Sequence, residues 1–233
     1  MTAVPILPMH RRRLRDVYRS AGWPCLDGIE IELLGAGLVE RVRAPSGHET
    51  LRVTDAGIAL LADTLARNRA GRDAHEVLVE RVAEAMTRAG RLAWRGLALR
   101  ARIATGWVMA RPDVYSIRHT SVEDYVEPVA HEIKVRRADL LADLRKPDKR
   151  EAYRQLSTEC WYVIRQGIAE PDEVPLECGV LVADDADLVV ARPAPKRAWR
   201  LPFGVWMALA RATPVPGWRF EDEQGWLGDT SSS

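Results

Sequence analysis

One short pattern limits this chain more than any other: Glu132-Ile133-Lys134, an acid and an ammonium separated by one isoleucine within segment 126–135. In a strand, residues i and i+2 face the same way and the residue between them faces the other. A strand here sets Glu132 and Lys134 side by side and turns Ile133 into a core, with its backbone carbonyl left available as a ligand. Pro112-Asp113 adds a second carboxylate in segment 107–117, which also reads as a strand. Lysine is scarce in this chain: the basic residues are nearly all Arg, and the lysines are Lys134, Lys146, Lys149 and Lys196. A compact, strongly hydrated ammonium does not substitute for a guanidinium fork, and its pKa responds to burial.

With 233 residues, 47% of them hydrophobic, the chain has room for one large domain or two small ones, and the pattern favours two. We expect domains at 1–70 and 71–225, followed by a disordered tail at 226–233. The net charge of +1 gives no bulk attraction to nucleic acid, so DNA binding has to rest on local basic faces. Arg11, Arg12 and Arg13 at a helix start offer one such face; a solvated surface is the plainer reading. No segment approaches the roughly 20 apolar residues of a membrane span, and prolines break the apolar N-terminal stretch. A soluble, cytoplasmic protein with no membrane partner is expected. Cys25, Cys160 and Cys178 are odd in number and lack metal-ligand spacing, which predicts buried free thiols.

Segments 11–21 and 26–34 read as helices. Segments 38–43 and 50–53 read as a hairpin around Pro45-Ser46-Gly47. Thr54 and Asp55 start a further helix at 56–67. Polar, Gly-containing 68–72 reads as a linker, and 74–88 as an amphipathic helix. Strands are predicted at 92–99, 100–105, 107–117 and 126–135, then a long helix at 149–165. A hairpin at 179–183 and 188–191 and a helix at 201–211 complete the reading.

The order helix, helix, hairpin, helix, together with LLGAGLVERV and LRVTDAGIALL, resembles the MarR-like winged-helix family over residues 11–69. Two helices precede the hairpin where such domains usually carry three. A protein-interaction or dimerisation module is the alternative for this part.

From residue 74 to about 200 the chain resembles the PD-(D/E)xK nuclease superfamily, on Asp113 in ARPDVYSI and on Glu132 and Lys134 in PVAHEIKV. EIKVRRADLLADLRKPDKREAY and CGVLVADDADLVVARPAPKR look like its MmcB-related, DNA-repair-associated branch, with Asp139, Asp143 and Lys146 matching an aspartate-containing segment. The resemblance implies an α/β (α+β) fold: a restriction-endonuclease-like mixed sheet flanked by helices, behind a small winged-helix domain. It implies a DNA nuclease dependent on Mg2+ or Mn2+, acting in DNA repair or in mobile-element or defence processes. Asp113, Glu132 and the Ile133 carbonyl would hold the metal, and Lys134 would position or activate the attacking water. Glu76 on the first helix and Gln155, with Tyr153, on the second are the further site candidates. His75 lies closer to the buried edge than Glu76, and by alternation His131 faces away from the site. Lys149, Arg150 and Arg154 would neutralise phosphates. DNA is the implied partner, and a homodimer fits because many nucleases of this fold pair to cut two strands. A non-catalytic DNA-binding or regulatory protein on the same scaffold is the competing reading.

Overall fold

The computed structural model describes residues 5–20 and 22–216, so the expected tail at 226–233 lies outside the described residues. The chain divides into two units, 1–72 and 73–233. In the first, helices α1 (Pro8–Arg19) and α2 (Gly28–Gly35) precede a hairpin of β1 (Val39–Arg43) and β2 (Glu49–Val53), and α3 (Asp55–Arg88) follows. Leu14, Val17, Leu33, Val39, Leu51 and Leu61 form its core. Asp27 caps α2 by accepting from the Glu30 N–H at 2.9 Å, and Arg13 donates to the same carboxylate at 2.8 Å, tying α1 to α2. Gly22 has φ +74° and passes so close to β2 that a Cβ would lie 2.0 Å from the Leu51 carbonyl oxygen. Only glycine fits there.

Two expectations fail around α3. The predicted linker at 68–72 is helical, and the two helices expected around it form one helix of 34 residues. In a helix Asn68 costs about 0.7 kcal/mol and Gly71 about 1 kcal/mol, whereas ending and renucleating the helix costs more. Cys25 is exposed, while Cys160 and Cys178 are buried free thiols.

The second unit has an α+β fold built on a mixed six-stranded sheet flanked by helices, with strand order β10-β9-β8-β7-β6-β3. Its strands are β3 (Arg91–Arg95), β6 (Val114–Arg118), β7 (Val129–Lys134), β8 (Glu159–Arg165), β9 (Gly179–Ala183) and β10 (Leu188–Arg192). β3, β6 and β7 run antiparallel in turn, and β7, β8 and β9 are parallel. Between β7 and β8 the chain forms α4 (Arg137–Leu144) and α5 (Pro147–Arg154); after β10 comes α6 (Phe203–Arg211). Alternate residues divide between two cores. Val114, Ile133, Val163 and Leu181 pack with Leu78, Val79 and Val82 of α3, while Tyr115, Ala130, Tyr162 and Val180 pack with Leu140, Tyr153 and Val205 of α4, α5 and α6.

The helix predicted at 149–165 is wrong in its second half, because α5 stops at Arg154 and β8 begins at Glu159. Cys160 and Tyr162-Val163-Ile164 are all buried, and aromatic and β-branched residues in an unbroken apolar run suit a parallel strand covered on both faces. The strand predicted at 107–117 is also two strands. Pro112 lacks the N–H a ladder needs. β5 (Gly106–Ala110) therefore pairs with β4 (Leu99–Ile103) in a separate two-stranded ribbon, while β6 joins the main sheet. At the other margin, β10 carries a register shift between Val190 and Arg192. The Arg192 guanidinium donates to the carbonyls of Val174, Pro175 and Cys178.

Candidate functional site

Alternation along β7 does what the sequence requires. Ile133 is fully buried against α3, and Glu132 and Lys134 look toward α4 and α5. Glu132 is 4% exposed, so its charge needs partners. It has three: Lys134 Nζ at 2.5 Å and Lys149 Nζ at 2.6 Å on Oε1, and the Tyr153 hydroxyl at 2.7 Å on Oε2. The same hydroxyl lies 3.0 Å from the Arg111 carbonyl, just before Pro112-Asp113.

Asp143 of α4 completes the cluster. Its Oδ1 accepts from Lys149 at 2.7 Å with Lys134 3.6 Å away, and its Oδ2 accepts from the Tyr162 hydroxyl of β8 at 2.7 Å. Burial works against both charged forms, and the pairing overcomes it. Contact with Lys149 and Lys134 holds the Asp143 carboxyl below its usual range, while Glu132 and Asp143 hold the Lys149 ammonium above its own. Burial, reinforced by the neighbouring carboxylates, pushes both Tyr153 and Tyr162 far up, so they serve as neutral donors.

Asp113 stands at the head of β6. Extending the antiparallel register of β6 and β7 by one residue puts it opposite Glu132. Its Oδ2 accepts from the Ile133 N–H at 2.7 Å and faces His75 Nε2 of α3 at 3.4 Å, so its contacts belong to the backbone of β7 and to α3. Hydrogen bonding to Asp113, against the effect of burial, raises the His75 pKa.

The remaining expected residues fall elsewhere. Glu76 is 75% exposed and touches His75 rather than the cluster, because α3 turns His75, not its neighbour, toward the sheet. Gln155 caps the end of α5 and lines a cavity with Arg154 and Arg197, away from Glu132; two residues on from Tyr153, it is on a different face of the helix. Arg150 donates to the Leu144 carbonyl at 2.7 Å, and Arg154 is exposed. In the first unit Arg13 is committed to Asp27, Arg11 is half-buried and Arg12 is exposed. Asp139 and Lys146 are exposed. His131 is buried with Nδ1 unpaired, and burial, with the nearby Arg91 charge, pushes its pKa down to about 3. It is a neutral core residue.

The sequence points to Lys149 as a phosphate contact, and the fold also joins it to both buried carboxylates; nothing in the sequence singles out Tyr162. The scarcity of lysine was the signal for Lys149, since two of the chain's four lysines meet at Glu132.

The donors fit a hard divalent cation in kind. Mg2+ is commonly held by one or two carboxylates, with water and substrate phosphate supplying the rest. Asp113, whose side chain is 21% exposed and engaged through Oδ2, and Glu132 on the next strand offer such oxygens. Among the described residues no three His, Cys, Asp or Glu side chains gather as a full ligand set.

No family model matches the chain, and no curated protein matches it. Among solved structures it is similar to the SPO1766 protein of unknown function from Silicibacter pomeroyi, at 22% identity and a TM-score of 0.39 over 55% of this chain and 78% of that one. Among the described residues no helix is long and apolar enough to cross a membrane.

Proposed function

We propose that this chain is a metal-dependent DNA nuclease that hydrolyses phosphodiesters, acting in DNA repair or in mobile-element or defence processes. The observation that carries the reading is the convergence of Lys134 and Lys149 on one oxygen of the buried Glu132, beside Asp113 on the adjacent strand. Two ammoniums at one buried carboxylate provide cationic donors for a phosphate. The order α3, antiparallel β3-β6-β7, helices and parallel β8 supports a PD-(D/E)xK core of the MmcB-related type.

In this reading Asp113, Glu132 and the Ile133 carbonyl would hold Mg2+ or Mn2+. Bound there, the metal lowers the pKa of a water and offsets phosphate charge. Lys134, paired with Glu132, would position the attacking water. Lys149, kept protonated by Glu132 and Asp143, is a charge donor to the phosphate rather than a base. Asp143 anchors Lys149, and Tyr153 and Tyr162 fix the two carboxylates. The first unit, read as a winged helix, would add a DNA contact through the exposed Arg12.

A second reading, a non-catalytic DNA-binding protein on this scaffold, is favoured by one observation: Glu132 and Asp143 already have both oxygens engaged by lysine and tyrosine. Cleavage of linear, nicked, branched and single-stranded DNA and of RNA in Mg2+ or Mn2+, with Glu132→Gln and Lys134→Ala as controls, separates the two. Metal-dependent cutting lost in both controls supports the nuclease. A folded wild type that cuts none of these substrates, or controls that cut equally well, rejects it.

A further inference from the structure

The β4–β5 ribbon has an outer face that no core explains. Leu99, Ala101, Ile103 and Ala110 point inward and are buried, while Arg100, Arg102, Trp107 and Met109 point outward and are exposed. Register pairs Arg100 with Met109 and Arg102 with Trp107. Trp107 is 58% exposed, with the Arg100 guanidinium 4.6 Å from its ring centre. Neither arginine has a carboxylate within ion-pairing distance among the described residues. An exposed indole, an exposed thioether and two arginines without a carboxylate partner therefore share one face of the ribbon.

The ribbon adjoins a cavity of about 520 Å3, lined by Val108, Met109 and Ala110 of β5 and by Arg145, Lys146, Asp148 and Lys149. That volume is typical of a small-ligand site. Apolar β5 residues suit a base, three cations against the one carboxylate of Asp148 leave the polar lining net positive for a phosphate, and the half-buried cation among them is the Lys149 bonded to Glu132.

We propose that this ribbon and cavity bind single-stranded DNA, with bases stacking on Trp107, phosphates held by Arg100 and Arg102, and one nucleotide entering the cavity beside Lys149. Cations without a carboxylate partner complement the phosphates, and a solvent-facing aromatic ring suits unstacked bases, which a duplex does not present. The inference deepens the nuclease reading and rests on it, naming the form of DNA its site receives.

The test is fluorescence anisotropy of labelled oligo(dT) with the full chain in EDTA, where no metal-dependent cutting occurs. The expected result is binding that weakens about tenfold or more in Trp107→Ala and several-fold in Arg102→Ala, with unchanged circular dichroism and weaker, Trp107-independent binding of a duplex. Oligo(U) bound equally well, with the same dependence on Trp107, supports the surface and extends it to either sugar. No binding of oligo(dT), or an affinity untouched by both substitutions, overturns the inference. Trp107-dependent binding by a chain that cuts nothing in Mg2+ or Mn2+ rejects the nuclease reading and leaves the binding surface standing.

Discussion

Replacing Lys149 by methionine tests the electrostatic account of the site. Methionine keeps an unbranched stem beside the Tyr153 ring and removes the charge. At an effective dielectric of about 20, an ammonium 2.7 Å from Asp143 attracts it by about 6 kcal/mol before desolvation is counted. Lys134, 3.6 Å away, still supplies about 5 kcal/mol by the same measure. Asp143 is thus left partly, not wholly, uncompensated. Removing one member of a buried pair typically costs about 3–5 kcal/mol, and the remaining Lys134 puts this case near the lower end, at about 3 kcal/mol.

The assay is urea unfolding followed by tryptophan emission, which reports the second unit because Trp23 is the first unit's one tryptophan. Asp143→Asn in the Lys149→Met background removes the stranded charge and keeps an acceptor for Tyr162. It should recover about 1.5–2 kcal/mol of the loss, a coupling that additive effects cannot give. The pH dependence has a definite sign. The depressed Asp143 pKa gives stability that is present above its unfolded value of 3.8 and lost as pH falls through the folded one. The raised Lys149 pKa gives stability present below 10.5 and lost as pH rises through its folded value. The deficit of Lys149→Met should therefore be full between those limits and shrink in acid and in strong base. A neutral-pH loss below about 1 kcal/mol, or strict additivity with Asp143→Asn, would refute the reasoning.

Tyr153→Phe removes the 2.7 Å bond to Glu132 and should cost about 2 kcal/mol in the same unfolding assay, since the bond is to a buried charge. His75 has a raised pKa, so its pairing with Asp113 contributes stability fully below the unfolded value of 6.5 and loses it as pH rises through the folded value. His75→Asn should flatten the urea midpoint across that window, and an unchanged slope would show that the pair contributes nothing there. Gly179→Ala would put a Cβ 2.5 Å from Trp161 Cε3 and 2.7 Å from the Ala194 nitrogen; a loss of about 1–3 kcal/mol is expected in a thermal melt, as for other overpacked sites.

What the sequence made legible was local and periodic. The alternation of Glu132, Ile133 and Lys134 predicted β7 and its two faces, and the turn at Pro45-Ser46-Gly47 predicted the first hairpin. Where two periods compete, the reading failed. Residues 159–165 follow eight helical residues with no glycine or proline at the junction 155–158, so a helical reading runs on into a strand whose apolar run only a sheet sorts. The site was half legible for a related reason. Glu132 and Lys134 are neighbours along one strand, but Asp143, Lys149 and Tyr162 come from two helices and another strand and meet only after the parallel crossover from β7 to β8.

The irregular β10 bears on how copies of this chain meet. Val189 and Val190 are exposed on an outermost strand, the arrangement that invites a second molecule to continue a ladder. The extra residue between Val190 and Arg192 puts the hydrogen-bonding groups out of step there, Arg192 pins the strand's end to three carbonyls, and Pro193 and Pro195 cannot donate further along. Edge-to-edge growth is disfavoured beyond Val190, which leaves only a short stretch of β10 for a second copy to extend.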